Sequence, residues 1–242
     1  MRVRGSMIRN CGQTVWNMDF VGRKREIAAV MKSLKQGRNV LLTGRFGVGR
    51  SRLVKHISKL HSDGWQFLFA DFSKTAARSC NDMVNQLVPD RGRSRRHRYT
   101  RLMYAKDIIL GKKLAQDRPR VAVLDNIGKI SHQKLSFIRD LRFDGDLLFI
   151  AITESFFSET DLFLLRSVLY PSDWLPLRNL NRPETLAFFR KVSQRKKLGW
   201  SENFIRNLAA STEGYPLLMK ERVQREVGLA PYPGTIRVAR RN

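Results

Sequence analysis

The stretch NVLLTGRFGVGRSRLVKHISKL, residues 39–60, decides the fold. A short apolar run is followed by a glycine-rich loop and then by a segment with helical periodicity. The loop fits the phosphate-binding pattern G-x-x-x-x-G-K-[ST] at Gly44, Gly49 and Ser51, but Arg50 stands at the lysine position. Strand, glycine loop and helix in this order predict a site for nucleotide phosphates, with an ordinary glycine-rich turn as the alternative.

The loop residues are the predicted contacts with the nucleotide. Glycines let the backbone curl so that several N–H groups point inward, and the start of the following helix adds a partial positive charge. The hydroxyl of Ser51 is placed to coordinate Mg²⁺. The predicted contacts are Gly44, Arg45, Phe46, Gly47, Val48, Gly49, Arg50, Ser51 and Arg52.

A second apolar run, RVAVLD at residues 120–125, ends in Asp125. Because ligands bind at the carboxyl ends of the strands in open α/β sheets, we expect Asp125 to hold Mg²⁺ together with Ser51. The alternative is an aspartate that caps the following turn. Asn126 comes next, where an acidic residue would activate water, and an amide cannot accept a proton in that role.

A further apolar run, LLFIAI at residues 147–152, is followed by Thr153 and Glu154. We expect these two residues at the same edge of the sheet as Asp125, where the strands have their carboxyl ends. Thr153 is the predicted contact with the γ-phosphate or with the attacking water. Glu154 and Asp71, which ends the run QFLFAD, are candidate substitute bases. Either carboxylate could equally be a helix cap.

The chain as a whole alternates short apolar runs with longer amphipathic segments. This pattern predicts an α/β fold with a parallel five-stranded sheet flanked by helices, followed by a small all-α lid subdomain. We expect strands at 39–43, 66–71, 120–125, 147–152 and 173–177, and helices at 23–36, 50–62, 80–88, 99–116, 131–140 and 155–169. After residue 178, Pro183, Ser201 and Pro216 are suited to open three further helices. The predicted organisation is a basic arm at 1–18, an α/β nucleotide-binding domain at 19–178, a helical lid at 179–229 and a basic tail at 230–242.

The charge balance is strongly basic, with 46 Lys and Arg against 21 Asp and Glu and a net charge of +25. Such an excess favours a polyanionic partner, and we expect nucleic acid, specifically duplex DNA, rather than a membrane surface. The segment RGRSRRHRYTR, residues 91–101, is the candidate phosphate-contacting loop, with Tyr99 available to stack on a base. A solvated loop is the alternative. Its arginines are Arg91, Arg93, Arg95, Arg96, Arg98 and Arg101.

Other sequence features bear on compartment and metals. Two cysteines, Cys11 and Cys80, make no disulfide framework and favour a reducing compartment. The four histidines show no metal-ligand spacing. The longest apolar runs are too short to span a bilayer, and the N-terminus lacks an apolar stretch typical of a secretory signal. We therefore expect a cytoplasmic protein, while the basic N-terminus leaves organelle targeting open.

These segments together resemble the AAA+ ATPases, particularly the archaeal-type and origin-recognition-like branch that includes transposition regulators. The resemblance covers roughly residues 19–225. It is carried by DFVGRKREIAAVMKSL, GRFGVGRS, VAVLDN, LLFIAITES and NRPETLAFF…LAASTEGYPLLMKE. It implies ATP and Mg²⁺ as cofactors and assembly into a homo-oligomeric ring or filament.

The resemblance also implies roles for particular residues. Phe20, Val21 and Gly22 match the entry segment whose backbone lies beside the adenine. Thr153 matches the sensor-1 residue. Arg166 is the best match for the arginine that reaches the γ-phosphate of a neighbouring subunit, with an exposed helix arginine as the alternative.

Three positions depart from the family pattern: Arg50 replaces lysine, Asn126 replaces glutamate, and GYPLLMKE lacks the sensor-2 arginine, for which Lys220 is a weak substitute. Losing one well-placed electrostatic group costs about 10²–10³ in rate. We therefore expect an ATP-binding regulator with slow or absent hydrolysis that assembles on nucleic acid in replication, transposition or another mobile-element process. The alternatives are a signalling or defence ATPase of the STAND type and a P-loop scaffold that no longer binds nucleotide.

Overall fold

The computed structural model describes residues 20–88, 105–110, 118–143, 147–155 and 157–228. The elements are α1 (Lys24–Lys35), β1 (Asn39–Gly44), α2 (Arg50–Leu60), β2 (Gln66–Asp71), α3 (Ala76–Leu87), β3 (Arg120–Ile127), α4 (His132–Phe143), β4 (Leu148–Glu154), α5 (Glu159–Val168), β5 (Ser172–Pro176), α6 (Arg182–Lys196), α7 (Glu202–Thr212) and α8 (Pro216–Glu226). Residues 105–109 are also helical. Within these ranges, no helix combines the length and the apolar character needed to cross a membrane.

The five strands form one parallel sheet in the order β2-β3-β4-β1-β5. The central strands β1, β3 and β4 are buried along almost their whole length, as expected for a parallel sheet covered on both faces. Phe72 and Phe149 are the largest fully buried side chains of the α/β core. The predicted fold class, a five-stranded parallel sheet with flanking helices and C-terminal helices, is confirmed.

Two helices begin where a hydroxyl cap ends the preceding loop. α3 starts at Ala76, four residues before the predicted start, because the Thr75 hydroxyl accepts a hydrogen bond from the Arg78 N–H. α5 starts at Glu159, because the hydroxyl of the preceding Ser158 accepts a hydrogen bond from the Asp161 N–H at 3.1 Å. Of the predicted helix at 99–116, the structure describes only residues 105–110.

The chain divides into two compact units. The α/β unit spans Arg23–Arg178, and among the described residues the helical unit joins residues 20–22 to residues 179–228. Residues 20–22 thus group with the helical unit, and the predicted domain bounds stay a prediction. Gly22 gives the physical reason for this grouping, since a Cβ built on it would lie 2.6 Å from the Glu184 carboxylate.

The helical unit packs α6, α7 and α8 around an apolar cluster that includes Phe189, Met219 and Val223. A capping box at Asn181 opens α6, and the Ser201 hydroxyl caps α7 as its position predicts. Gly214 precedes α8 with φ at 68°, and a Cβ there would lie 2.0 Å from the carbonyl oxygen of Leu180. Only glycine fits at this position.

A buried arginine ties the sheet to the helical stretch at residues 105–109. Arg120 is 4% exposed, and its Nη1 donates to the carbonyl oxygens of Ile108 at 2.8 Å and Ile109 at 2.9 Å. Its Nε donates to Gln66 Oε1 at 2.9 Å. Burial lowers the pKa of Arg120. The guanidinium thus satisfies helix-end carbonyls that would otherwise lack partners.

A polar network ties α1 to the edge strand β5. Asp173 accepts hydrogen bonds from Arg38 Nε at 2.9 Å and from the Ser33 hydroxyl at 2.7 Å. Both bonds hold the pKa of the Asp173 carboxyl below its usual value, and the bond from Arg38 has the larger effect. The network therefore fixes the edge of the sheet next to β1.

Candidate functional site

The strand register brings the predicted polar residues to one edge of the sheet. Thr43 and Gly44 at the end of β1 lie opposite Thr153 and Glu154 at the end of β4. Asp71 at the end of β2 lies opposite Asp125 on β3. In a parallel sheet all carboxyl ends meet at the same edge, so the glycine loop and these side chains share one site.

The glycine loop has the conformation that its sequence requires. Gly47 and Gly49 have φ of 76° and 96°, in the left-handed region that favours glycine. Gly44 lies so close to the next segment that a Cβ there would be 2.8 Å from the carbonyl oxygen of Leu177. Val48 is buried and anchors the loop to the core.

The helix α2 begins at Arg50 directly after the loop, and its N-cap Gly49 contributes no side-chain cap. The first turn therefore directs backbone N–H groups towards the loop, which is the arrangement that binds phosphate at helix N-termini. Arg45, Phe46 and Arg52 are exposed on the loop and on the first turn of the helix. The predicted loop contacts thus lie on one loop and on the first turn of the helix that follows it.

Ser51 and Asp125 form a pair at the foot of the loop. The Ser51 hydroxyl donates to Asp125 Oδ1 at 2.8 Å. Oxygen ligands of Mg²⁺ lie about 2.1 Å from the ion, so two neighbouring ligands are separated by about 3 Å. The two oxygens are hard donors at the right separation, and they fit Mg²⁺. When bound, the ion would neutralise charge on the β- and γ-phosphate oxygens.

The described residues hold no cluster of three or more His, Cys, Asp or Glu side chains that could bind a metal by themselves. A site with one carboxylate and one hydroxyl relies on phosphate oxygens and water for its other ligands. Such a ligand set suits Mg²⁺ bound together with a nucleotide rather than a resident structural metal.

Arg50, at the lysine position of the phosphate-loop pattern, is buried and points towards the end of β4. Its Nη1 donates to the carbonyl oxygen of Thr153, and its Nη2 donates to Glu154 Oε1. The side chain of Arg50 is 9% exposed. From the sequence, Glu154 is expected to be a substitute base or a helix cap, and its pairing with Arg50 is not predicted. The signal that could have found the pair is the adjacency of β1 and β4, which sets Gly44 beside Glu154.

Two buried oxygens at the end of β4 lack partners. Among the residues that the structure describes, Thr153 Oγ1 and Glu154 Oε2 make no hydrogen bond although both atoms are inaccessible to solvent. Buried polar atoms are rarely left unpaired in folded proteins. These two oxygens therefore mark a position where a polar ligand or a rearranged Arg50 would be stabilised.

Asn126 lies in an irregular part of the sheet. The register between β3 and β4 shifts between Leu124 and Ile127, and Asn126 has φ of 58°. Its Nδ2 lies 3.4 Å from Asp71 Oδ1, at the long end of hydrogen-bond distance. Asp71 also accepts from the Ser73 hydroxyl at 2.7 Å, and this bond is the main reason why the pKa of Asp71 is lowered. The site thus has an amide where a base is expected, beside a weakly basic carboxylate.

Arg166 lies on α5, and its guanidinium carbon is 5.8 Å from the ring centroid of Trp174 on β5. The indole N–H of Trp174 donates to the Thr43 hydroxyl at 2.8 Å. Arg166 is exposed, and Trp174 retains 51% of its accessible surface. The role of Arg166 towards a neighbouring subunit stays a prediction.

The remaining predicted site residues belong to the helical unit or fall outside the described residues. Phe20, Val21 and Gly22 belong to the helical unit, and their contact with adenine stays a prediction. Lys220 lies on α8. The arginines of the candidate nucleic-acid loop lie outside the described residues; they are Arg91, Arg93, Arg95, Arg96, Arg98 and Arg101.

Several solved structures share this fold. Cdc6p from Pyrobaculum aerophilum superimposes with a TM-score of 0.63 at 14% identity, over 90% of this chain and 67% of that one. The Orc1 protein of Aeropyrum pernix, solved in complex with DNA, superimposes with a TM-score of 0.58 at 16% identity. The match covers 87% of this chain and 60% of that one. The RuvB Holliday junction branch migration motor of Thermotoga maritima superimposes with a TM-score of 0.52 at 17% identity. The match covers 85% of this chain and 62% of that one. At these identities the likeness establishes the fold alone.

The present chain spans 60–67% of the length of these three proteins. Among curated protein sequences none matches this chain significantly. A family model described as AAA ATPase domain matches residues 19–146, which include the glycine loop, Ser51 and Asp125. With this match, the parallel sheet and the phosphate-loop geometry, the chain belongs to the AAA ATPase family.

Proposed function

We propose that this protein binds ATP together with Mg²⁺, hydrolyses it slowly or not at all, and assembles on nucleic acid as an ATP-dependent regulator. The observation that carries the proposal is the Ser51–Asp125 pair beneath a glycine loop whose lysine position is occupied by a buried arginine. The pair supports nucleotide binding. The arginine supports slow turnover.

Nucleotide binding follows from the loop and from the two oxygen ligands. The N–H groups of the loop and of the first turn of α2 would hold the phosphates, while Ser51 and Asp125 would hold the metal ion. Arg50 keeps the positive charge of a lysine. Its planar guanidinium is larger and directs its donors differently from a compact ammonium group.

Slow hydrolysis follows from the groups available to activate water. The amide of Asn126 cannot accept a proton, and the lowered pKa of Asp71 makes that carboxylate a weak base. The carboxylate of Glu154 is already engaged by the guanidinium of Arg50. Each missing electrostatic contribution costs about 10²–10³ in rate, although such losses rarely add independently.

The proposed nucleic-acid partner rests on charge. The net charge of +25 and the arginine-rich segment at residues 91–101 suit phosphate contacts without base readout. Orc1 of A. pernix, which shares the fold, was solved in complex with DNA. We therefore propose duplex DNA as the partner and a replication, transposition or mobile-element process as the setting. Assembly into a homo-oligomer, with Arg166 acting between subunits, is part of the same proposal.

Nucleotide binding is tested by titrating a fluorescent ATP analogue with and without Mg²⁺. Ser51→Ala removes a metal ligand, and we expect it to weaken Mg²⁺-dependent binding at least about tenfold. Ser58→Ala is the matched control, because Ser58 lies on the same helix and its hydroxyl donates to the Lys55 carbonyl at 3.0 Å. If the wild-type protein binds no nucleotide, the scaffold alternative is correct instead.

Nucleic-acid binding is tested by the salt dependence of affinity for duplex DNA with ATP present. Each phosphate contact contributes about −0.9 to the slope of log K against log salt. Replacing the six arginines of residues 91–101 by alanine is therefore expected to make the slope shallower by up to about 5. Wild-type protein that fails to bind duplex DNA at low salt contradicts this part of the proposal.

A further inference from the structure

We propose that Glu154 is a positioning residue that controls the affinity for nucleotide, and the preference for ATP over ADP, by competing with the phosphates for Arg50. This inference rests on the proposed function, because it concerns regulation of the same site. Glu154 contacts no nucleotide in this scheme. It acts through the guanidinium that it holds.

The side chain of Arg50 has two hydrogen-bond acceptors within the protein itself. Arg50 follows Gly49 at the first position of α2, where a basic side chain is expected to reach the β- and γ-phosphates. Its two terminal nitrogens instead donate to the Thr153 carbonyl and to Glu154. Binding of a nucleotide through Arg50 therefore requires that these bonds are exchanged or shared.

The pair is suited to exchange because it is incompletely satisfied. Glu154 Oε2 is buried and has no hydrogen-bond partner in the part of the chain that the structure describes, and the same holds for Thr153 Oγ1. A partly buried ion pair with an unpaired oxygen recovers little of its desolvation cost. A phosphate offers the guanidinium fork more negative charge and the bidentate geometry that it prefers.

The competition affects ATP more than ADP. A residue at the position of Arg50 reaches the bond between the β- and γ-phosphates, so the guanidinium gains most from the terminal phosphate. As long as Glu154 neutralises Arg50, this gain is reduced. Removing the charge of Glu154 should therefore strengthen ATP binding more than ADP binding.

The test compares Glu154→Gln with the wild-type protein, using equilibrium dissociation constants for ATP and ADP and the unfolding temperature without nucleotide. We expect about tenfold tighter ATP binding and at most about threefold tighter ADP binding. The unfolding temperature should fall, because the buried guanidinium of Arg50 is left without a negative partner. These opposite changes distinguish competition from a merely structural role, which would weaken both. Glu159→Gln on α5 is the control, because it removes the same charge from an exposed position. It should change neither dissociation constant by more than about twofold and should leave the unfolding temperature nearly unchanged.

A second pair of variants tests whether Glu154 acts through Arg50. In an Arg50→Gln background, Glu154→Gln should change ATP affinity less than about twofold, because no guanidinium remains to be released. If affinity is too weak for direct titration, the increase of the unfolding temperature with added ATP provides the same comparison. Tightening as large as in the wild-type background would show direct repulsion of the phosphate by Glu154 and would overturn the inference.

The outcomes also separate this inference from the proposed function. If the wild-type protein binds ATP and Glu154→Gln binds it no more tightly, the inference is overturned. The proposed function is unaffected by that result. If neither protein binds nucleotide, both fail. Binding that appears only in Glu154→Gln supports the inference and contradicts nucleotide binding by the wild-type chain.

Discussion

Asn126→Glu would restore the acidic residue that the family pattern places after Asp125, yet we expect it to destabilise the protein. Asn126 has φ of 58°, and asparagine tolerates this left-handed conformation better than glutamate does. The backbone contribution to the loss is about 1 kcal/mol. A carboxylate at this position would also face Asp71, whose Oδ1 lies 3.4 Å from the present amide nitrogen.

The repulsion can be estimated from this distance. Two unit charges about 4 Å apart interact by roughly 4 kcal/mol at an effective dielectric constant of 20. Asn126 is exposed and Asp71 is only half-buried, so solvent screening reduces the repulsion to about 1 kcal/mol. Together with the backbone contribution, Asn126→Glu should lower the free energy of unfolding by about 2 kcal/mol at neutral pH.

Urea denaturation of four proteins tests this estimate: wild type, Asn126→Glu, Asp71→Asn and the double variant. The double variant should recover about 1 kcal/mol relative to the sum of the single losses, since the repulsion is absent. Asn126→Asp is a further control that keeps the repulsion with less backbone strain. The reasoning is refuted if Asn126→Glu is as stable as the wild type, or if the two sites show no coupling.

Three further predictions concern the scaffold. Arg120→Met removes the donor to two buried carbonyls and should lower the free energy of unfolding by about 2 kcal/mol in urea denaturation, whereas Arg206→Met at an exposed position should leave it unchanged. Gly214→Ala should lower the unfolding temperature far more than Gly199→Ala, because both have positive φ but only Gly214 lacks room for a Cβ. The lowered pKa of Asp173 means that its bonds stabilise the fold above the unfolded pKa of about 4 and that this contribution is lost as pH falls through the folded value. Asp173→Asn should therefore lose less stability than the wild type between about pH 5 and pH 2, measured by urea midpoints.

Local patterns were sufficient to predict the sheet and the proximity of Ser51 and Asp125. Uninterrupted apolar runs mark strands buried on both faces, and the glycine loop between a strand and a helix places Ser51 at the edge where Asp125 ends β3. Helix starts at Ala76 and Glu159 were missed because hydroxyl caps there outweigh the weak periodicity of the first turn.

The pairing of Arg50 with Glu154 depends on information that no local pattern contains. The two residues are 104 positions apart, and they meet because β4 pairs with β1 in one particular register. The left-handed backbone at Asn126 likewise follows from a register shift between β3 and β4. Residues 20–22 group with the helical unit through the close approach of Gly22 to Glu184, which only the folded chain reveals.

The most direct test of the central claim measures ATP affinity and ATP turnover on the same wild-type sample with Mg²⁺. The account predicts saturable binding of ATP with turnover below about 0.01 s⁻¹, compared with about 10 s⁻¹ for a typical enzyme. Turnover of about 1 s⁻¹ or more would contradict the interpretation of Arg50 and Asn126. Absence of ATP binding would contradict the site built from the glycine loop, Ser51 and Asp125.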